Sequence, residues 1–367
     1  MRIEEFINTT KNWEQVLAAA PYFVKTTWDD NYFILKYNQL SSDFSNEIVQ
    51  QCRGSIFYWN GVSAECVCRP FDKFFNVQEG NAAAIDWSSA YVTEKVDGSL
   101  MKLWWHNGSW HLSTNGTINA FNARVADFDT NFEKIFYKAV SHYEWYFQFL
   151  NGLMNKEYTH LFELVSPETR VIVAYKKADV YYLTSINTKT KEEKDFNIQV
   201  NRPKVYSLKS LEDCLAACEK MSRNEEGYVV ADKYNHRVKI KSTGWLEAHY
   251  MANNGVITRK RIIMMIQLES IDDFLALMPE YSNMVESVKK EILSLETFLK
   301  TTYDKFKTYE RAKIYGAMSG YPGFAINYVF TRLSSHDVCS AYNYIMSKTA
   351  RQITDMIEEY EGGNKND

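Results

Sequence analysis

No Cys-x-x-Cys pair occurs in the 367 residues, and six cysteines are too few to staple a chain of this length. Cys52, Cys66, Cys68, Cys214, Cys218 and Cys339 are therefore read as free thiols. Cys214 and Cys218 fall four apart on an expected helix, but without a matching His or Cys pair they make no zinc site. No run of 18 apolar residues is present, which excludes a membrane-spanning helix. The opening Met1-Arg2-Ile3-Glu4-Glu5 lacks the apolar core of a signal peptide, so a soluble cytoplasmic protein is expected. Neither sign of charge dominates: 42 basic against 46 acidic residues leave a net charge of -4, so a polyanion would have to be held by a local basic patch. Internal repeats and heptad runs are also missing, and a monomer is expected.

The composition that remains, 46% hydrophobic and 24% charged, is that of an ordinary globular protein, and the length suggests two domains. Glu4 to Ala20 reads as a helix and Asn31 to Asn38 as a strand; Gly54 to Cys68 reads as a hairpin with a type I′ turn at Asn60-Gly61. Two β-prone stretches, Tyr91 to Thr93 and Met101 to Trp105, flank Asp97-Gly98, and a second Asn-Gly turn follows at Asn107-Gly108. Phe121, Val125, Phe128, Phe132 and Phe136 carry helical spacing through Ala120 to Leu153. Strands are expected at Thr159 to Val165, Arg170 to Tyr175, Asp179 to Asn187, Gly227 to Asp232 and Arg237 to Lys241, with a helix at Leu208 to Met221. Beyond about Tyr250 the apolar spacing is helical, as in Val285, Val288, Ile292, Leu295 and Leu299, broken only by Pro279 and Pro322. The expected fold class is α+β, with a mostly antiparallel domain over 1–248 and an all-helical domain over 249–367.

Lys95-Val96-Asp97-Gly98-Ser99-Leu100 is the stretch on which chemistry would centre. Asp97-Gly98 reads as a tight connection between two strands, placing Lys95 at a strand end. Desolvation and neighbouring cations there would free the amine for attack, and Gly98 would leave room for a phosphate. Taken alone, the pattern reads first as a hairpin with a solvated lysine.

Other clusters stand around it. Arg53 opens an early strand, Lys73-Phe74-Phe75-Asn76 follows Arg69-Pro70, and Glu163 lies on a strand. Glu226 precedes another strand, while Lys239 and Lys241 share one strand face because side chains repeat every second residue. One lysine nucleophile, several other cations and two carboxylates are what nucleotidyl transfer to lysine needs.

In these motifs the chain resembles the type-1 RNA ligases of T-even-like phages, within the covalent lysine nucleotidyltransferase superfamily. The resemblance rests on Tyr37-Asn38, Cys52-Arg53-Gly54, Arg69-Pro70 with Lys73 to Asn76, Lys95-x-Asp-Gly-Ser-Leu, Phe162-Glu163, Pro167 with Arg170 to Tyr175, Glu226-Gly227-Tyr228-Val229 and Lys239-Ile240-Lys241-Ser242. It implies that Lys95 attacks ATP to form lysyl-AMP, that AMP passes to an RNA 5′-phosphate, and that a 3′-hydroxyl displaces it. It makes Tyr37, Arg53, Lys73 and Glu163 nucleotide contacts, with Phe75 stacking on adenine. Lys239 and Lys241 would hold the α-phosphate, Glu226 would serve metal or strand joining, and Asp273 would bind Mg2+, with Mn2+ as its substitute. The implied partners are single-stranded or broken-loop RNA such as cleaved tRNA, and an end-healing kinase/phosphatase, in the cytoplasm of a phage-infected host. One departure stands out: Asn115 lies where such ligases commonly carry a basic residue, and an amide supplies no charge. Helices rather than an OB-fold after Lys241 favour the RNA branch. A relative acting on DNA ends or with GTP, and a non-catalytic RNA-binding protein using basic strands and aromatics, are the alternatives.

Overall fold

Period-two burial in the first part of the chain builds three sheets, and each gains its own apolar partner layer. The structure is a computed structural model that describes all residues except 126–127, 151–153, 171–172, 223–224, 243–256, 268–269, 335–339 and 364–367. Two units divide at 252/253, and this division and the expected one at 248/249 both lie in a segment outside the described residues.

In the first unit, strands β1 (Val24–Asp29), β2 (Tyr32–Tyr37), β3 (Arg53–Trp59) and β4 (Ala64–Cys68) form an antiparallel sheet in that order. Helices α1 (Arg2–Thr9), α2 (Trp13–Ala18) and α3 (Glu47–Gln51) belong to this part of the chain. Ile3, Ile7, Leu17 and Val49 of these helices share one core with Phe33, Leu35 and Phe57 of the sheet. The single helix expected over Glu4 to Ala20 is two helices, because Asn12 takes a left-handed backbone with φ 53°. The Asn60-Gly61 connection is also not a two-residue type I′ turn. Only Gly61 has positive φ, the loop runs through Ser63, and Asn60 Oδ1 accepts from the N–H groups of Val62 and Ser63.

The chain then begins one five-stranded sheet, builds a second five-stranded sheet with consecutive strands, and returns to complete the first. One has the order β12 (Val205–Tyr206), β6 (Tyr91–Glu94), β13 (Gly227–Ala231), β14 (Arg237–Lys241), β5 (Phe75–Asn76). The other has the order β11 (Glu193–Lys194), β10 (Asp179–Asn187), β9 (Tyr158–Val165), β7 (Ser99–His106), β8 (Ser109–Thr114). Pairing is antiparallel apart from β14 with β5. β6 and β7 therefore lie in different sheets, so Lys95 to Gly98 is a crossover between sheets and not a hairpin turn. Asn107-Gly108 does close a hairpin: both residues have positive φ, 46° and 81°, and His106 pairs with Ser109.

Along β7, Met101, Lys102, Leu103 and Trp104 are all buried, so this strand is covered on both faces. Met101 and Leu103 pack with α4 (Phe132–Val140) and α5 (Glu144–Leu150). Trp104 packs with Ile34, Ile56 and Cys68 of the first sheet. The helical period expected from Ala120 begins as a single 3-10 turn, with Phe121 and Phe128 exposed; regular helix starts only where Asn131 caps Lys134. Helix α6 (Leu211–Cys218), capped by Ser210, covers the sheet that holds β13 and β14 and buries both of its cysteines. No strand forms at Val173 to Tyr175, and 171–172 of that expected strand lie outside the described residues.

The second unit is helical among its described residues, from α7 (Arg259–Gln267) and α8 (Ile271–Leu277) through the 25-residue α9 (Ser282–Phe306). Val285, Val288, Ile292, Leu295, Leu299 and Phe306 form the buried face of α9. α10 (Arg311–Ala317), α11 (Gly323–Ser334), α12 (Ala341–Met346) and α13 (Ala350–Gly363) complete it.

Candidate active site

Lys95 follows β6 directly, and its backbone N–H donates to the Gly227 carbonyl at 2.9 Å, continuing the β6–β13 ladder by one residue. That tie places the Lys95 side chain beside Glu226, the residue just before β13. The amine donates to Glu226 Oε2 at 2.6 Å, while Lys241 Nζ stands 2.9 Å from Glu226 Oε1. Gly227 pairs with Lys241, so the two ladders bring the three side chains together. The Glu226 side chain is 4% exposed and that of Lys95 is 22% exposed, which leaves the amine open to a ligand while the carboxylate is enclosed. Burial works against the charged Glu226 carboxylate, but Lys241 and Lys95 outweigh it and hold its pKa below the ordinary range.

Expectation and structure differ here in one respect. Neighbouring cations were expected beside Lys95, and in the structure a carboxylate stands between Lys95 and Lys241.

Glu163 lies on β9, opposite Leu100 of β7 and Tyr181 of β10. Burial pushes its carboxyl up to about 8; Lys95 and Arg53 pull it down, and Glu226 and Asp97 push it further up. The upward shift favours the protonated form, which can donate a hydrogen bond to a ligand oxygen. Asp97 is buried and accepts from the Val173 N–H at 2.6 Å, tying the crossover to the segment after β9. Protein atoms fill the space that a side chain at position 98 would take. A Cβ there would lie 2.5 Å from the Leu164 carbonyl oxygen and 3.0 Å from Glu163 Cγ, so glycine is required by the crossover's approach to β9.

Arg53 begins β3, with its guanidinium carbon 5.4 Å from the Phe74 ring centroid; Lys239 Nζ stands 5.6 Å from the same ring. Arg53 Nη1 is buried with no hydrogen-bond partner among the described residues, a donor left for a ligand. Lys73 Nζ stands within 5.3 Å of three ring centroids, those of Tyr37, Phe44 and Phe75. Phe75 is buried and packs edge-on to Phe44, so its ring belongs to the Lys73 cage. The more open ring, flanked by Arg53 and Lys239, is Phe74. Sequence reasoning did not single it out, although it stands beside Phe75 in the same motif. A cavity of about 340 Å³ shares Lys73, Phe74 and Phe75 with this cluster and also has Arg69 and Arg237 in its lining.

The expected residues thus fall in two adjoining groups. Lys95, Glu226, Lys241, Glu163 and Arg53 interact electrostatically, and Tyr37, Lys73 and Phe75 form the cage; Lys239 meets the first group at Phe74. Asp273 is buried in the first turn of α8 in the second unit, where a helix N-terminus favours an acid. Among the described residues no group of three or more His, Cys, Asp or Glu side chains could hold a metal ion.

Comparison with known proteins bears on this site. A family model described as RNA ligase matches residues 51–246, more than half of the chain. A protein of Autographa californica nuclear polyhedrosis virus, described as a bifunctional polynucleotide kinase/RNA ligase, is 31% identical over 283 residues, covering 72% of this chain and 40% of that protein. The chain thus spans less than half the length of this relative. An RNA ligase of Rhodothermus phage RM378 is 22% identical over 337 residues, covering 74% of this chain and 75% of that protein. Among solved structures, an archaeal ATP-dependent RNA ligase aligns over 99% of this chain and 98% of its own at 12% identity and a TM-score of 0.47.

Proposed function

Since this chain belongs to the RNA ligase family, we propose that it joins RNA 5′-phosphate and 3′-hydroxyl ends with ATP, through an AMP carried on Lys95. The observation that carries this reading is the Lys95–Glu226–Lys241 arrangement, a half-open amine held by an enclosed carboxylate that a second lysine also grips.

The chemistry follows from those contacts. Triphosphate oxygens entering the cleft would compete with Glu226 for Lys241, while Lys239 and the unpartnered Nη1 of Arg53 take further phosphate oxygens. A Glu226 carboxylate relieved of Lys241 is a stronger base and accepts the proton of Lys95 across the 2.6 Å contact. The freed Nζ lone pair forms a bond to the α-phosphorus as the bond to the β-phosphate oxygen breaks, and pyrophosphate leaves. An RNA 5′-phosphate oxygen then attacks the same phosphorus and returns the lysine. Last, a 3′-hydroxyl attacks the 5′-phosphorus and AMP departs. Phe74 offers the base a ring face, Lys73 in its aromatic cage meets the outer phosphates, and protonated Glu163 donates to the ribose. A divalent metal, Mg2+ in our reading, neutralises phosphate charge when bound. The helical second unit, with Asp273, would serve RNA choice or metal binding.

We further place the protein in RNA repair, on broken loops such as those of cleaved tRNA. The double description of the viral relative, kinase and ligase, supports ends that are first prepared by a kinase/phosphatase. The test is joining of a labelled 5′-phosphate, 3′-hydroxyl RNA, with GTP in place of ATP and nicked DNA in place of RNA as further arms. ATP-dependent RNA circles are expected; preference for GTP or DNA would overturn the substrate assignment.

A further inference from the structure

Lys102 has no exposed surface, yet it pairs with no carboxylate among the described residues. Period two on β7 turns it to the Trp104 side, toward the first sheet, where its amine donates to the Gly54 carbonyl. Gly54 is the extra residue of a bulge in β3. Leu35 pairs with Ser55 and Lys36 with Arg53, so Gly54 has no partner residue in the ladder, and its φ is +84°. Burial lowers the Lys102 pKa to about 8, with Arg53 and Lys36 adding to the shift and Cys68 opposing it. A buried ammonium beside two other cations is unfavourable for folding, which points to a use for it at this place.

Three polar groups converge there. The point that a Gly54 Cβ would occupy lies 2.6 Å from the Asn115 carbonyl oxygen, 2.8 Å from Asn115 Oδ1 and 3.2 Å from Lys102 Nζ. Asn115 Oδ1 is buried without a hydrogen-bond partner among the described residues, as is Nη1 of Arg53 next along the chain from the bulge. A bulge beside a functional site re-aims the side chain next to it. We propose that Lys102 is a positioning residue: by anchoring the Gly54 bulge it aims Arg53 at the nucleotide phosphates, and it provides from β7 a cation where position 115 offers only an amide. The inference rests on the lysyl-AMP reading and gives it a part that none of the sequence motifs contains.

The experiment uses the full chain, α-labelled ATP and Mg2+, and follows lysyl-AMP formation in single turnover alongside thermal unfolding. Lys102→Met keeps length and volume without the charge. The KM for ATP is expected to rise about tenfold or more, the size of one lost charged contact, while the rate at saturating ATP changes far less. The midpoint should hold or rise, because methionine suits a buried site better than an unpaired ammonium. A merely structural lysine would instead lower the midpoint and leave KM alone. Adding Asn115→Lys to Lys102→Met returns a cation to the same point from the adjoining residue and is expected to recover most of the KM. Asn115→Lys alone sets two ammonium groups together and is expected to raise KM and lower the midpoint. A folded Lys102→Met with wild-type KM overturns the proposal. Should that variant not fold, wild-type KM and midpoint in Asn115→Lys alone do so. A wild-type chain that takes no label would instead overturn the lysyl-AMP reading, a distinguishable outcome.

Discussion

The Lys95 amine donates to Glu226 at 2.6 Å across 131 residues of sequence, joining the end of one strand to the start of its neighbour. In the proposed chemistry that contact is the resting position of the proton which must move before the amine can attack. Glu226→Gln keeps the shape and removes the acceptor charge. Lysyl-AMP formation at saturating ATP is expected to fall about 10²- to 10³-fold, in the range of a lost general base. Single-turnover labelling reads this directly, and an unchanged rate would remove Glu226 from the proton's path.

Phe74 and Phe75 should part company on substitution. Phe75 is buried in the Lys73 cage, so Phe75→Ala opens a cavity and is expected to lose about 3–5 kcal/mol of stability. Phe74, half-buried between Arg53 and Lys239, should lose ATP affinity as alanine with a much smaller change in unfolding. Denaturant titration and ATP binding, measured on both variants, separate the two roles.

Glu163 gives the fold a pH dependence of predictable sign. Its ordinary value is 4.5 and folding raises it to about 8, chiefly by burial. A carboxyl that binds its proton more tightly when folded contributes stability that is fully present below about pH 4.5 and is lost as pH rises through 8. The nucleotide-free protein is therefore expected to lose denaturant resistance across that window, and Glu163→Gln to lack that component of the loss. Parallel pH profiles of the two proteins would expose the error if the difference between them ran the other way.

Gly98→Ala tests the packing of the crossover. The new methyl would meet the Leu164 carbonyl, which belongs to a strand and cannot swing aside. A loss of about 1–3 kcal/mol is expected from overpacking. Gly80→Ala, with nothing within 4 Å, serves as the control and should unfold as the wild type does.

Strands with two-residue alternation and their own turn residues were legible before the coordinates. Asp179–Asn187 and Arg237–Lys241 match the expected spans, and so does the two-residue turn at Asn107-Gly108. The helix Glu4 to Ala20 was misread because apolar spacing does not register one left-handed residue, here Asn12. Phe121 and Phe128 keep helical spacing in an exposed irregular segment, since spacing alone says nothing about what lies opposite. The hairpin reading of Asp97-Gly98 failed for a different reason: flanking strands are local, whereas which sheet each joins is decided by β13 and β9, far along the chain.

The same limit governs the site. Residue types and order assembled Lys95, Glu163, Glu226, Lys239 and Lys241, but pairing between strands decides which touch. That Glu226 separates Lys95 from Lys241 follows from register, because Gly227 faces Lys241 while Tyr228 faces Glu94. Phe74 was passed over because both rings of the pair read alike until burial told them apart. Lys102 could have been suspected from a cation standing among Met101, Leu103 and Trp104, a polar residue inside an apolar run.

The most direct measurement is to incubate the protein with ATP carrying label in its α-phosphate and Mg2+, digest it, and locate the adduct by mass. The account predicts one acid-labile AMP on the peptide containing Lys95, absent in Lys95→Ala and released by added 5′-phosphate RNA. AMP on another residue, or equal labelling of Lys95→Ala, would contradict it.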